Sequence, residues 1–344
     1  MKEIKTTEAI GQVLCHDMTQ IIPGKYKGAR FRKGHIVTPD DIPVLLSMGK
    51  ETIFVWENDE NMLHENDAAE ILYDICAKEQ IGFIKSEIIQ GKIEILAESD
   101  GFFEIDTEKL KAINALGEIM IAARHTNSPV KKGDKLAGMR VIPLVILKEK
   151  MALAKAMAGE APLIKLTPYK KLKYAIVTIG NEVFAGRIKD SFTPVVREKL
   201  SKFEAEEIGH VILADDPQKV TAAILDFIGK GAQLVLCTGG MSVDPDDRTP
   251  LAIKNTGADI VSYGSPVLPG AMLLVAYYGN NQIPIVGLPG CVMYSKRTVF
   301  DILLPRIIAG KMVSKEELSA LGNGGMCLDC PVCIFPNCAF GAGI

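Results

Sequence analysis

The sequence predicts an α/β protein whose second half is a doubly wound, mostly parallel sheet, preceded by small β-rich α+β modules. Three observations predict this class. The chain has 344 residues, which is more than one typical core requires. After residue 172, short apolar runs alternate with helix signals, as a parallel sheet covered by helices requires. The apolar run 233–238 ends in Gly239-Gly240, which is typical of a buried strand leaving a sheet beside a ligand.

Composition excludes several classes of function. A net charge of -3 gives no field that would attract nucleic acid, so no nucleic-acid partner is expected. No apolar run approaches the roughly 20 residues of a membrane span, and Met1-Lys2-Glu3 does not open like a signal peptide. We therefore expect a cytoplasmic protein without a membrane partner.

The first half of the chain predicts two small modules joined by helices. The first module has a hairpin around Lys33-Gly34, a helix beginning at Asp40-Asp41 and a strand over 52–56. The second has apolar runs at 93–97, 101–105, 119–123 and 141–147. The predicted segments are 1–57 (first module), 58–82 (connecting helix), 83–148 (second module) and 149–172 (linker helix, broken at Gly159).

Residues 173–312 form the predicted α/β domain, and 313–344 a linker and a cysteine-rich tail. Apolar runs bounded by turn formers predict strands at 174–179, 211–214, 233–238, 260–263, 273–277 and 283–288. Capping residues and prolines predict helices at 194–203, 218–228, 250–257 and 293–308.

Three turns follow the carboxyl ends of these strands: Gly180–Glu182, Thr238–Asp247 and Gly287–Gly290. Glycines expose backbone N–H groups to an anion, so each turn is a candidate phosphate site. Carboxylates in the second turn can bind Mg²⁺, which also bridges to phosphates. Together the turns predict a phosphorylated ligand with a divalent ion.

The same turns carry a resemblance to a known family. They contain Thr178-Ile179-Gly180-Asn181-Glu182-Val183, Cys237-Thr238-Gly239-Gly240-Met241-Ser242-Val243 with Asp246 and Asp247, Leu268-Pro269-Gly270, and Gly287-Leu288-Pro289-Gly290. These motifs resemble, in order and spacing, those of the molybdopterin-binding domain in the MoeA/gephyrin family of molybdenum-insertion enzymes. The resemblance spans about 140 residues, and the N-terminal half is similar to the family only loosely.

The resemblance implies roles for individual residues. The positions it marks as catalytic are Glu182, Asp190, Asp215 or Asp216 (of which we select Asp216), Asp246 and Asp247, the last two also as Mg²⁺ ligands. The positions it marks as ligand-binding are Thr178, Gly180, Thr238, Gly239, Gly240, Ser242, Pro269, Gly270, Gly287, Pro289 and Gly290.

The function implied is that of a molybdopterin molybdotransferase, which inserts molybdate into adenylylated molybdopterin and releases AMP. A homodimer and a molybdoenzyme partner are implied as well. Two departures from the family pattern, at Asp244-Pro245 and at Cys291, also leave open a non-catalytic carrier of molybdopterin or mature cofactor, or a redox sensor. A nucleotide-pyrophosphate hydrolase on the same fold is a third hypothesis.

The tail contains four cysteines within twelve residues: Cys327, Cys330, Cys333 and Cys338. Three thiols at x2 spacing suit an iron–sulfur cluster, whereas two cysteine pairs that bind zinc usually stand farther apart. The fourth spacing is x4 rather than the ferredoxin x3. We therefore predict a metal site here, with an iron–sulfur cluster favoured over Zn²⁺ and a metal-free tail as the third possibility.

Overall fold

The computed structural model describes residues 2–55, 59–78, 82–242, 244 and 247–343. The chain forms two compact units that are both discontinuous in sequence. The first comprises Met1–Leu96, Asp106–Ala123 and Lys135–Ile164, and the second comprises Ala97–Ile105, Arg124–Asp134 and Lys165–Ile344. The predicted linear segments differ from this division, because two short stretches of the second predicted module belong to the second unit.

Thirteen described strands precede the α/β domain. They are β1 (Lys2–Lys5), β2 (Met18–Ile22), β3 (Tyr26–Phe31), β4 (Thr52–Val55), β5 (Met62–His64), β6 (Phe83–Lys85), β7 (Ile93–Ala97), β8 (Gly101–Ile105), β9 (Ile119–Ala123), β10 (Ser128–Val130), β11 (Lys135–Val141), β12 (Val145–Leu147) and β13 (Ile164–Pro168). The helices of this part are α1 (Asp41–Ser47), α2 (Glu65–Cys76), α3 (Thr107–Asn114) and α4 (Lys148–Ala158).

The first unit contains several small antiparallel sheets. β1 pairs with β4, β2 with β3, and β5 with β12, while β6, β7, β11 and β9 form a four-stranded sheet in that order. The apolar runs 93–97, 101–105 and 119–123 match observed strands at both ends. The hairpin prediction was wrong: β2 pairs with β3 across Pro23-Gly24-Lys25, whereas Gly34 lies in a separate turn. Polar residues in β3 concealed the true pairing.

The α/β domain holds six strands and most of the helices of the second unit. The strands are β14 (Leu172–Ile179), β15 (Ala205–Leu213), β16 (Leu234–Thr238), β17 (Asp259–Tyr263), β18 (Leu274–Tyr278) and β19 (Ile283–Leu288). The helices are α5 (Asn181–Phe184), α6 (Phe192–Leu200), α7 (Pro217–Gly229), α8 (Thr249–Asn255), α9 (Val299–Ile308) and α10 (Lys315–Ala320).

The six strands form one sheet in the order β15-β14-β16-β19-β18-β17. The first four strands are parallel, and β18 and β17 add an antiparallel edge. Helices α6 and α9 pack on one face, and α7 and α8 on the other, each against alternate side chains of the strands. The predicted doubly wound α/β fold is therefore confirmed. The order reverses between β14 and β16, which places the topological switch point between these two strands.

Two element boundaries differ from the prediction for physical reasons. β15 begins at Ala205 rather than at 211, because it is an edge strand whose first half is polar and only partly buried. The last helix begins at Val299 rather than near 293, because Thr298 and Asp301 form a capping box that starts α9 there. A short 3-10 turn, Gly290–Met293, fills the gap.

The C-terminal segment packs onto the second unit and contributes to its core. Helix α10 has its own capping box, and Val313, Leu318, Leu321 and Phe340 are buried against α9 and the sheet. β8, β10 and β13 form a three-stranded sheet of the same unit. Among the described residues, no helix is both long and apolar enough to cross a membrane.

Candidate functional site

The predicted turns meet at one edge of the sheet. Thr178 at the end of β14 is paired in register with Thr238 at the end of β16, which is in turn paired with Leu288 at the end of β19. Because parallel strands end at the same edge, the turns that follow these three residues emerge side by side. β18 is antiparallel and begins at this edge, where Leu274 pairs with Gly287, so the segment 268–272 is brought there as well.

Gly239 and Gly240 fix the close approach of two neighbouring turns. Both have left-handed backbones, with φ of +84° and +58°. A Cβ on Gly239 would lie 2.0 Å from the carbonyl oxygen of Ile179, and a Cβ on Gly240 would lie 2.6 Å from Thr249 Oγ1. Neither position tolerates a side chain, so the turns after β14 and β16 are in direct contact at the switch point.

The loop after Gly240 is closed by its own polar groups. Asp247 Oδ2 accepts a hydrogen bond from the Ser242 amide at 3.1 Å, and the Thr249 hydroxyl donates to the Gly239 carbonyl at 2.8 Å. The Tyr263 hydroxyl donates to the Met241 carbonyl at 3.0 Å. Asp247 therefore shapes the loop through one oxygen. The predicted Asp246 lies outside the described residues.

The two carboxylates that follow β15, those of Asp215 and Asp216, make different contacts. Asp215 Oδ2 accepts from the Asn181 amide at 3.0 Å, so it contacts the turn after β14. Asp216 Oδ1 accepts from the amides of Gln218 and Lys219, at 3.0 and 3.2 Å, and so caps helix α7. Asp215 thus contacts a strand-end turn, whereas Asp216, which we predicted as a catalytic residue, caps α7.

Three threonines and a histidine form a hydroxyl cluster beneath the site. The Thr238 hydroxyl donates to Thr178 Oγ1 at 3.1 Å, and Thr178 Oγ1 lies 3.0 Å from both Thr193 Oγ1 and His210 Nε2. Thr178 and Thr238 were predicted as ligand-binding residues, whereas Thr193 and His210 were missed. The only signal for them in the sequence is His210 itself, a histidine within an edge strand, and such a histidine is weak evidence for a site.

Asp190 lies beside this cluster. Its Oδ1 accepts from the amides of Phe192 and Thr193, at 2.8 and 3.1 Å, and Oδ2 is 3.8 Å from His210 Nε2. Burial opposes the charged form, but hydrogen bonds from Thr193 and Phe192 and the nearby His210 hold the pKa of Asp190 below its ordinary value. Burial, together with Arg197, lowers the pKa of His210. The pair favours an ionised carboxylate beside a neutral imidazole.

The remaining predicted residues lie along the same edge. Glu182 and Gly180 belong to the first turn, where the Glu182 side chain is exposed on the short helix α5. Gly287 packs so closely on Met241 that a Cβ would lie 2.6 Å from its sulfur. Pro289 and Gly290 lead into the 3-10 turn, whose Met293 sulfur lies 3.6 Å from Ser191 Oγ.

Pro269 and Gly270 lie against the start of α9. The Pro269 carbonyl accepts from the Val299 amide at 3.0 Å, and a Cβ on Gly270 would lie 2.4 Å from Val299.

The thiol of Cys291, in the 3-10 turn Gly290–Met293, is half-buried, and burial raises its pKa. That direction is opposite to the one that would activate the thiol.

The four tail cysteines are not brought together. Cys327 and Cys338 pack against the core, whereas Cys330 and Cys333 are exposed, and Cys333 Sγ accepts a hydrogen bond from Arg297 Nε at 3.4 Å. Throughout the part of the chain that the structure describes, no group of three or more His, Cys, Asp or Glu side chains is arranged to hold a metal ion. The donors present therefore do not fit the predicted iron–sulfur or zinc site.

Comparison with known proteins gives matches to two family models. Residues 175–309 match the family described as "Probable molybdopterin binding domain", and residues 3–57 match a domain of unknown function.

Curated relatives match over part of the chain. A "Molybdopterin molybdenumtransferase" of Synechococcus elongatus is 27% identical over 198 residues, which cover 54% of this chain and 46% of that protein. A "Molybdopterin adenylyltransferase" of Pyrococcus furiosus is 30% identical over 95 residues, covering 28% of this chain and 56% of that one. The matches thus span about half the length of each of these two relatives.

A solved structure, the "tungsten cofactor synthesizing protein MoaB" of Pyrococcus furiosus, aligns with 23% identity and a TM-score of 0.33, covering 40% of this chain and 91% of that chain. The assignment depends on the family match, whose residues contain the three strand ends and their turns. The α/β part of this chain, residues 175–309, therefore resembles the family described as "Probable molybdopterin binding domain".

Proposed function

We propose that this protein is an enzyme of molybdenum cofactor biosynthesis that inserts molybdate into adenylylated molybdopterin and releases AMP. The observation that carries the proposal is the contact between the turns after β14 and β16, at Ile179 and Gly239, at the switch point of the family's domain. Ligands of doubly wound sheets bind in this crevice. The name of the Synechococcus relative agrees with this activity.

The loop geometry supports catalysis by positioning. Gly239 and Gly240 have no side chains that would shield their backbone N–H groups from a ligand. Backbone N–H groups that are already held in place stabilise the negative charge that develops on a phosphate, because they need not reorient during the reaction. Among the described residues of this segment, Asp247 contacts the Ser242 amide and Thr249 contacts the Gly239 carbonyl, and both contacts support the glycine turn. We infer that the loop seats the phosphate part of the ligand.

We propose that Mg²⁺ binds to carboxylates of this loop. The ion typically uses one or two protein carboxylates and completes its shell with water and phosphate oxygens, so a larger acidic cluster is not required. Asp247, which keeps one carboxylate oxygen besides the one on Ser242, and the predicted Asp246 would hold it. When bound, the ion would neutralise phosphate charge.

The other three predicted carboxylates receive different roles. Glu182 is exposed on the first turn, and we propose that it contacts the ligand or its metal ion. Asp190 is occupied by Phe192, Thr193 and His210, and we propose that it acts as a positioning residue for the hydroxyl cluster. Asp216 serves as a helix cap, so its replacement by Asn, which also caps, should leave turnover unchanged.

The test is AMP release by the full chain from adenylylated molybdopterin with Mg²⁺ and molybdate. Glu182→Gln and Asp247→Asn should each reduce turnover by at least about tenfold, because each removes charge at the strand-end site. Glu198→Gln, an exposed carboxylate on α6, is the matched control and should not change the rate. Pterin affinity is measured separately, so that binding and turnover can be compared.

The outcomes separate the competing functions. Pterin binding without AMP release would support the carrier or redox-sensor hypothesis. Hydrolysis of a nucleotide pyrophosphate without molybdate would support the hydrolase. We also expect a homodimer, which light scattering of the purified protein measures, and a molybdoenzyme that receives the product.

A further inference from the structure

A cavity lies on the face of the sheet covered by α6 and α9. Its volume is about 450 Å³, and all its lining residues belong to the second unit. It is bounded by the end of α6, the start of α9, the 124–134 segment and residues 335–337. None of the described residues that line it belongs to the turns at 178–182, 238–247 or 287–290. The cavity is therefore separate from the strand-end site.

The cavity carries an excess of positive charge. Five cations line it against three carboxylates, and two of those carboxylates are already engaged: Asp134 pairs with Arg124 at 3.2 Å, and Asp100 accepts from the Lys132 amide at 2.8 Å. Among the described residues, Lys131 and Lys202 have no ion-pair partner. The unbalanced cations favour an anionic occupant.

The third carboxylate, Asp301, serves two cations at once. Lys199 Nζ lies 2.8 Å from both of its oxygens, and the Arg297 guanidinium donates to Oδ1 at 3.0 Å. The side chains of Lys199 and Asp301 are only 8% and 5% exposed. One carboxylate cannot neutralise two cations, so positive charge remains on the partly exposed Arg297 beside the buried pair. Asp301 Oδ2 also accepts hydrogen bonds from the amide and the hydroxyl of Thr298, and Arg297 Nε contacts Cys333 Sγ; none of these contacts supplies a second carboxylate. An anion would compensate this charge.

Aromatic rings form the apolar part of the wall. Tyr169 and Phe203 pack edge to face with centroids 5.0 Å apart, and the Arg297 guanidinium lies 5.1 Å from the centre of the Phe335 ring. Prolines and aliphatic side chains complete the lining. Such a surface buries a flat ring well, and its volume lies within the range of small-molecule sites.

The Tyr169 hydroxyl is an unused polar group in this cavity. Its oxygen is buried and has no hydrogen-bond partner within the described ranges. Buried hydroxyls in folded proteins are nearly always paired, and a polar ligand atom beside this one would supply the partner. A residue that lines the cavity therefore carries a hydroxyl that the described residues leave unpaired.

We propose that this cavity binds a small anion that carries an aromatic ring, of the size and chemistry of a nucleoside monophosphate. The anionic group lies by Lys202 and Arg297, and the ring packs among Tyr169, Phe203 and Phe335. This site is additional to the strand-end crevice and does not depend on the proposed enzyme activity.

Calorimetric titration of the full chain with AMP, ribose 5-phosphate and adenosine tests the proposal. AMP should bind more tightly than either fragment, because only AMP carries both the ring and the charge. Lys202→Glu should weaken one class of AMP site by at least about tenfold. Lys254→Glu, an exposed lysine on α8 outside the cavity, is the matched control and should have no effect. Tyr169→Phe should weaken the same site without altering the fold.

The results distinguish this cavity from the strand-end site. An AMP site that is lost in Glu182→Gln and unaffected by Lys202→Glu belongs to the strand-end crevice, and if it is the only site detected the proposal fails. If Lys202→Glu and Lys254→Glu weaken AMP binding equally, the effect comes from the overall charge of the protein and the proposal fails. Ribose 5-phosphate binding as tightly as AMP would exclude the aromatic part of the assignment.

Discussion

Asn181 and Asp215 are joined by two reciprocal hydrogen bonds. The Asn181 amide donates to Asp215 Oδ2 at 3.0 Å, and the Asp215 amide donates to Asn181 Oδ1 at 3.3 Å. The two residues follow neighbouring strands, β14 and β15, so the pair ties two strand-end turns together. Neither residue alone carries a strong sequence signal, and their relationship is visible only in three dimensions.

Replacement of Asn181 by Ala should loosen this connection. The variant removes the hydrogen bond from the Asp215 amide to Asn181 Oδ1, and we expect a stability loss of about 1 kcal/mol, with a larger effect on pterin affinity than on unfolding. Denaturant unfolding and ligand titration measure the two quantities. Asn255→Ala, at the end of α8, is the control, and an equal loss of affinity there would contradict the prediction.

Gly239→Ala should disrupt the strand-end site, and Gly257→Ala provides a matched control. Both glycines have a positive φ, +84° and +80°, but a Cβ on Gly257 would meet no atom within 4 Å, whereas one on Gly239 would clash with Ile179. Gly257→Ala should therefore cost only the strain of a left-handed backbone, about 1–2 kcal/mol. Gly239→Ala should cost more and should abolish pterin binding. Equal free energies of unfolding for the two variants would contradict the prediction, because they would mean that the backbone moves to relieve the clash with Ile179.

The buried pair of Lys199 and Asp301 should be sensitive to loss of one partner. Asp301→Ala leaves Lys199 and Arg297 without their counter-ion and also removes the capping box of α9. We expect a loss of about 3–5 kcal/mol in the free energy of unfolding. The exposed pair of Lys230 and Asp226 is the control, because Asp226→Ala should cost no more than about 1 kcal/mol. Chemical denaturation of both variants measures the difference.

Stability should depend on pH through His210. Burial, with Arg197, lowers the pKa of His210 against the opposing charges of Asp190 and Glu207. The unfolded chain therefore takes up a proton on His210 at a higher pH than the folded chain does. The stabilisation of the folded state by neutral His210 is complete above the ordinary histidine pKa of about 6.5, and it is lost as the pH falls below that value.

His210→Gln should remove this part of the pH dependence. His16 and His64 also have lowered pKa values, but they are present in both proteins, so the difference between wild type and variant reports on His210. Thermal unfolding midpoints between about pH 8 and pH 5 measure it. Parallel curves for the two proteins would contradict the prediction.

The sequence predicted the α/β domain well because its central strands are continuous apolar runs. Leu234–Thr238 and Ile283–Leu288 end at glycine turns, and both the strand ends and the convergence of the turns follow from the rules of parallel sheets. His210 and Thr193 were missed, because they come from an edge strand and a helix that only the fold brings to Thr178. The tail cysteines were misleading for the opposite reason, since their spacing suggests a cluster that the described residues do not form.

The interleaved order of the two units has a consequence for the synthesis of the chain. β8 and β10 leave the ribosome early, yet their sheet is completed by β13, and the core on which their unit depends includes α9 and the buried tail residue Phe340. Contacts between residues so distant in sequence form slowly, because a long loop must close first. β8 and β10 can pair with each other early, but their sheet and its core are complete only when β13, α9 and the tail have been synthesised. A chain truncated before the tail would therefore leave this sheet incompletely covered and prone to aggregation.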